Sequence, residues 1–308
     1  MARWTIAGAL VTFFALHAAD ARADTPSQAA SSSQVASKEP LSPRVELRHD
    51  LRVDIPVTAG LAVVTVGFRL IRDDLEPSYC RICDGDAPGE TNAVDDWFRR
   101  ALRRPDPWPA NLTSYILAFG AAPISGIAMS AIAAVADRRG DGYLVDILAI
   151  AEGGFSAMMT TQVLEAITLR ERPYVHAMTD EGERQAEIAK TGAFHSFPAG
   201  HVVEAFGVAT AAGVVASMRG YRLAPLVWAS GMLIGAATAY TRIASDRHYF
   251  TDTLAGAAIG TVVGGGVPLL FHRPVSTPSK TYGGVLDRVR FVATPVRGGQ
   301  VVGVAGAF

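Results

Sequence analysis

The sequence predicts an all-α protein, a membrane-associated bundle of about six helices, and three observations carry that prediction. Apolar residues make up 49% of the 308 and charged residues only 19%, too little charge for an ordinary soluble domain. Charge-free stretches at 107–136, 223–241 and 253–271 are each long enough to cross a bilayer. Shorter ones at 55–68, 153–164 and 205–218 are bounded by charges, as helices buried in a bundle would be. The net charge of -1 offers no basic excess, which argues against nucleic acid as a partner and makes any anion site a local one.

The first element is an expected export signal over 1–23. Arg3 precedes an apolar run from Trp4 to about Leu16, and Ala21-Arg22-Ala23 resembles a cleavage site. An uncleaved anchor helix is the alternative. Residues 24–46, rich in Ser, Ala, Pro and Gln, read as a disordered linker. Residues 47–272 form the expected helical domain. In the tail, 273–308, two weakly alternating runs flank Gly298-Gly299, which suits an irregular segment or a hairpin.

Cys80 and Cys83 are the two cysteines of the chain, and in an exported protein they favour a small-loop disulfide. Asn111-Leu112-Thr113 matches a glycosylation sequon, a short pattern that says little alone. Arg138-Arg139 and Arg219 with Arg222 fall in turns that the positive-inside rule assigns to the cytoplasm. The segments discussed next then face the periplasm of a bacterial inner membrane, or belong to a periplasmic membrane-associated protein. That assignment treats 55–68 as a packed or interfacial helix, because a spanning one after a cleaved signal would invert every later helix.

Three segments carry the chemistry: Arg172-Pro173, Pro198-Ala199-Gly200-His201, and Thr241-Arg242 continuing to His248 and Asp252. His248 and Asp252 stand four apart at the head of an apolar helix, so the carboxylate is expected to hold one ring nitrogen and leave the other free to attack. Arg172 and Arg242 each present a planar fork of donors suited to phosphoryl oxygens. Gly200 lets a backbone approach an anion at a helix start, and His201 there is placed to exchange protons with it. Glu204, three residues after His201, either keeps that histidine protonated or pairs with an arginine. Asp146 and Glu152 are costly in lipid and should face the bundle interior or water.

Together these segments resemble the type 2 phosphatidic acid phosphatase and vanadium haloperoxidase superfamily. Its pattern is Lys, six residues, Arg-Pro; then Pro-Ser-Gly-His; then Ser-Arg, five residues, His, three residues, Asp. The resemblance implies that His248 is a nucleophile that becomes phosphohistidine, without metal or cofactor. Two positions depart from it: Glu165 stands at the lysine position and Ala199 at the serine. Arg170 is a candidate to replace the missing cationic phosphate ligand, and Glu165 to modulate the site. The expected function is hydrolysis of a lipid phosphate monoester or diphosphate. The rivals are a non-catalytic phosphate-lipid binding or transport protein and, third, a vanadate-dependent haloperoxidase. Expected partners are a phosphorylated lipid and the membrane.

Overall fold

A computed structural model describes residues 45–75, 79–190, 192–275, 290–296 and 299–305. The expected signal at 1–23 and the linker up to residue 44 lie outside the described residues. Strand β1 (Glu46–Leu47) leads into α1 (Leu51–Leu75), and a surface helix α2 (Ala93–Leu102) follows. Helix α3 (Trp108–Ile116) continues through a π turn at Leu117–Ala121 into α4 (Ala122–Ala136). Then come α5 (Tyr143–Thr168), the short α6 (Pro173–His176) and α7 (Glu181–Ile188), α8 (Gly200–Met218) and α9 (Ala224–Ala244). Helix α10 (Phe250–Ile259) runs through a second π turn, Gly260–Gly264, into α11 (Gly265–Phe271). Strand β2 (Pro274–Val275) returns to pair antiparallel with β1, and β3 (Arg290–Val296) pairs with β4 (Gly299–Ala305) as a hairpin.

Five of these helical segments are long and apolar enough to cross a membrane: Leu51–Ile71, Trp108–Ala136, Gly140–His176, Gly200–Met218 and Phe250–Phe271. The stretch expected at 223–241 forms α9, which is not among those five segments. It still packs along α8, the central helix, most of whose residues are buried. Small residues allow the closest crossings. A Cβ on Gly260 would lie 2.6 Å from the Val203 carbonyl oxygen, so a side chain there would force α10 away from α8.

Three helices extend beyond the expected limits of 55–68, 153–164 and 205–218. Counting to the first charge cut them short, because Asp54, Arg69, Glu152, Glu165 and Glu204 lie inside the helices. Glu152 in α5 takes a hydrogen bond from Thr58 Oγ1 at 2.9 Å and sits 2.9 Å from His272 Nε2. Asp146 is engaged by Arg219 Nε and the Tyr221 hydroxyl, both at 2.7 Å. Each acid therefore faces the interior with a partner, as its cost in lipid requires.

The helices sort the charged turns onto two ends. At one end Arg222 Nε donates to Asp137, and Arg219 Nη1 donates to the Val45 carbonyl, so the start of the described chain shares the end that holds Arg138 and Arg139. At the other end lie Arg172, His201, Arg242 and His248. Helix α1, with 25 residues, runs from the first end toward the second. This overturns the treatment of 55–68 as a short packed helix. Val45 and the three-segment end thus lie at opposite ends of the bundle.

Candidate active site

The three segments are stitched together by backbone hydrogen bonds. The Arg172 amide donates to Ala193 O (2.9 Å), Ser196 N to Arg170 O (3.0 Å), Ala199 N to Asp252 O (3.1 Å) and Tyr174 N to Asp246 O (3.2 Å). Pro173 occupies the first turn of α6, where its missing N–H costs nothing, and leaves Arg172 extended as the N-cap. A Cβ on Gly256 would meet Ala199 O at 2.9 Å, so glycine in α10 is what lets the Pro198–His201 turn seat on that helix.

His248 is buried in the turn between α9 and α10. Its Nδ1 lies 2.7 Å from the Ser196 carbonyl oxygen. A carbonyl only accepts, so Nδ1 carries the proton and the Nε2 lone pair is left for chemistry. Burial, together with the positive charges of Arg242 and Arg172, holds the His248 pKa well below the usual imidazole value. The ring is therefore neutral near pH 7.

Asp252 does not hold that ring directly, which corrects the arrangement expected from the four-residue spacing. Its Oδ2 accepts from Ser196 Oγ at 2.6 Å and from the Tyr249 amide at 2.8 Å, capping α10. Side chains on the first turn of a helix lean toward its exposed amides, so the carboxylate caps its own helix. It reaches His248 through Ser196, whose hydroxyl it binds and whose carbonyl receives Nδ1–H.

Arg170 likewise turns away from the expected role. Nε donates to Asp84 Oδ2 (3.0 Å), Nη1 to Thr251 Oγ1 (2.9 Å) and Asp252 Oδ1 (2.6 Å), and Nη2 to Asp84 Oδ1 (2.7 Å) and Asp95 Oδ2 (3.1 Å). These contacts match all five donors of a guanidinium, leaving none for a phosphate. The Tyr249 ring lies 4.1 Å beneath it.

Arg172 and Arg242 behave differently. The Nε of each is buried without a hydrogen-bond partner, while Arg242 Nη1 is aimed by Asn111 Oδ1 (2.8 Å) and Ser114 Oγ (2.9 Å). The two guanidinium charges act on each other and on His248. Like charges converge there, and an anion between them would relieve the repulsion. Asn111, the sequon residue, is thus a support for Arg242.

Glu165 is buried beside this cluster, its Oε1 3.4 Å from where a Cβ on Gly200 would stand. Its charge acts on both Arg172 and Arg242, whereas Arg170 is fully engaged elsewhere. His201, in the first turn of α8, has the rings of Tyr115 and Phe119 edge-on at 4.4 and 4.9 Å, and its charge also reaches His248. Ala199 gives α8 no side-chain cap, so its first amides rely on other acceptors. Glu204 lies one turn below His201, with Oε2 unpartnered and Arg69 as its charged neighbour.

Cys80 and Cys83 form a disulfide with Cα atoms 5.6 Å apart. It belongs to the site end, since the Arg81 and Ile82 amides donate to Leu169 O and Thr168 O. Among the described residues no group of three or more His, Cys, Asp or Glu is arranged to hold a metal. Sequence reasoning missed the supporting roles of Asp84, Asp95, Asn111, Ser114 and Ser196, which lie outside the three segments, and of Thr251, which lies inside the third.

Residues 146–275 match the family model of the PAP2 superfamily, a range that contains Arg172, His201, Arg242, His248 and Asp252. The resemblance to that superfamily therefore holds over this range. No curated protein matches the chain in sequence. Among solved structures, the first transmembrane PAP2 type phosphatidylglycerolphosphate phosphatase from Bacillus subtilis is similar at 20% identity and a TM-score of 0.38, over 70% of this chain and 93% of that one.

Proposed function

With residues 146–275 matching the PAP2 superfamily, we propose that this chain is a phosphoric ester hydrolase acting on a phosphate monoester or diphosphate of a membrane lipid. The observation that carries the reading is the tautomer of His248. Its proton is committed to Ser196 O at 2.7 Å, and its other nitrogen belongs to a turn ringed by Arg172 and Arg242. A binding protein needs the arginines but not an oriented, neutral nucleophile.

In the proposed reaction Arg172 and Arg242 hold the phosphoryl oxygens through charge-assisted, forked contacts. His248 Nε2 attacks phosphorus, the bond from phosphorus to the leaving oxygen breaks, and His201 gives that oxygen its proton. The proton stays on Nδ1, donated to Ser196 O, and that hydrogen bond stabilises the phosphorylated ring. His201, now neutral, takes a proton from water, whose oxygen displaces His248 and releases phosphate. No step runs through a metal. Phosphate release from lipid substrates, with vanadate as a competing anion, tests the reading. Binding of a lipid phosphate with no release would favour the non-catalytic alternative.

The site is proposed to face the periplasm. A disulfide at the site end fits an oxidising compartment, and Arg138, Arg139, Arg219 and Arg222 gather at the other end. The 79–107 segment at the site end carries five arginines, of which Arg99 and Arg103 pair with Asp246 and Arg100 with Asp96. In that orientation Val45 is cytoplasmic, and residues 1–23 do not deliver it across the membrane as a cleaved signal would.

A further inference from the structure

Helix α2 lies at the site end, and its inner face is fully engaged. Phe98 stacks on Phe250 with ring centroids 3.7 Å apart, and Asp95 accepts from the Thr251 amide and hydroxyl. The exposed residues of the helix are Ala93, Val94, Trp97, Arg100 and Ala101, of which Val94, Trp97 and Ala101 make one apolar stripe at helical spacing. Trp97 is 59% exposed, and Trp108, which opens the membrane-crossing Trp108–Ala136 segment, is 66% exposed.

Beside that stripe, Arg99, Arg100, Arg103, Arg104, Asp96 and Pro105 line a cavity of about 430 Å³. Four arginines meet two carboxylates there. Asp246 takes Arg99 at 2.7 Å and Arg103 at 3.2 Å, and Asp96 takes Arg100 at 2.6 Å. Arg104 has the neutral Tyr240 hydroxyl at 2.9 Å. The cavity is therefore left with a positive excess, and the side chains of Arg100 and Arg103 are 71% and 55% exposed.

We propose that α2 and the turn after it bind the phosphate headgroups of anionic phospholipids, at a site separate from the one that holds Arg172 and Arg242. An exposed apolar stripe with tryptophans, a basic flank, and a direct run into a membrane-crossing segment together describe a helix lying in the bilayer interface. The stripe dips among the acyl chains, and the arginine cavity meets the headgroup layer. A soluble anion would use the charge but not Val94, Trp97 and Trp108, so the lipid is the occupant that accounts for both halves of the surface. The inference does not depend on hydrolysis.

The test uses the full chain in nanodiscs of mixed phosphatidylcholine and phosphatidylglycerol, with a spin-labelled version of each lipid as probe. The immobilised fraction of label reports lipid held at the protein surface. Wild type should prefer phosphatidylglycerol, and Arg100→Gln with Arg104→Gln should lower the preference by about fivefold per arginine removed. Raising the salt should weaken it in wild type. Arg138→Gln with Arg139→Gln, at the other end of the bundle, should leave it unchanged. Arg100→Lys with Arg104→Lys keeps the charge and should keep the preference, which separates loss of binding from loss of fold. Equal preference in wild type and the double glutamine variant, or no preference in wild type, would overturn the proposal.

Discussion

Arg170 Nη1 donates to Asp252 Oδ1 at 2.6 Å, and through that bond a residue outside the three segments supports the turn that carries His248. Asp252 in turn fixes the Ser196 hydroxyl and the Tyr249 amide, and Ser196 O holds His248. Arg170 is therefore a positioning residue. It also compensates Asp84, Asp95 and Asp252, three carboxylates that would otherwise repel one another.

Removing that charge should be felt in stability first. Arg170→Ala leaves buried carboxylates uncompensated, at a cost of about 3–5 kcal/mol. Arg170→Lys keeps a charge but not the five-donor fork, so it should lower kcat while the vanadate inhibition constant stays within about twofold of wild type. A vanadate constant raised as much as in Arg172→Ala would place Arg170 on the phosphate after all.

Glu165 is predicted to weaken anion binding. Its carboxylate acts on Arg172 and Arg242, so a phosphate must share them with it, at a like-charge cost on the order of 1–4 kcal/mol. Glu165→Lys should raise kcat/KM by roughly tenfold or more, at about 1.4 kcal/mol per decade. Glu165→Gln should move it in the same direction by less. Activity that falls in both variants would mean that the carboxylate organises the arginines instead of competing for them.

The low pKa of His248 makes a signed prediction about acid. Between the unfolded value near 6.5 and the depressed folded value, the unfolded chain binds a proton that the folded chain does not. This group's contribution to stability is complete above pH 6.5 and declines as the pH falls toward its folded pKa. His248→Gln should be less acid-sensitive than wild type in thermal unfolding. On the same ground, the acid limb of kcat/KM assigned to this ring should lie below the ordinary imidazole range. A limb at or above pH 6.5 would contradict the burial and arginine charges as its cause.

Labelling tests the orientation. Cysteine labels near Pro88 and Glu183 should report the periplasm, and labels at Arg138 and His49 the cytoplasm. Cytoplasmic labelling at Glu183 with outside labelling at His49 would invert the chain and restore a cleaved signal at 1–23.

Part of the candidate site was legible because the residues proposed to react sit in short segments whose spacing survives folding. Arg172, His201, Arg242 and His248 could be named from sequence. Their supports could not, because a carbonyl such as Ser196 O has no sequence signature, and Asp84, Asp95 and Asn111 arrive from loops and helices 75 to 156 residues away along the chain. The helix limits failed for a related reason. Glu152 looked like a boundary in one dimension, yet His272 and Thr58 engage its two oxygens inside the bundle.

The central claim is that His248 Nε2 takes the phosphoryl group, and trapping the intermediate tests it most directly. Wild type should be mixed with a phosphate-labelled lipid substrate and quenched in alkali, which preserves phosphohistidine. Peptide mapping should then find label on His248, and on no residue in a folded His248→Ala variant that releases no phosphate. Phosphate release at a near wild-type rate by His248→Ala, or label on His201 in the wild-type protein, would contradict the account.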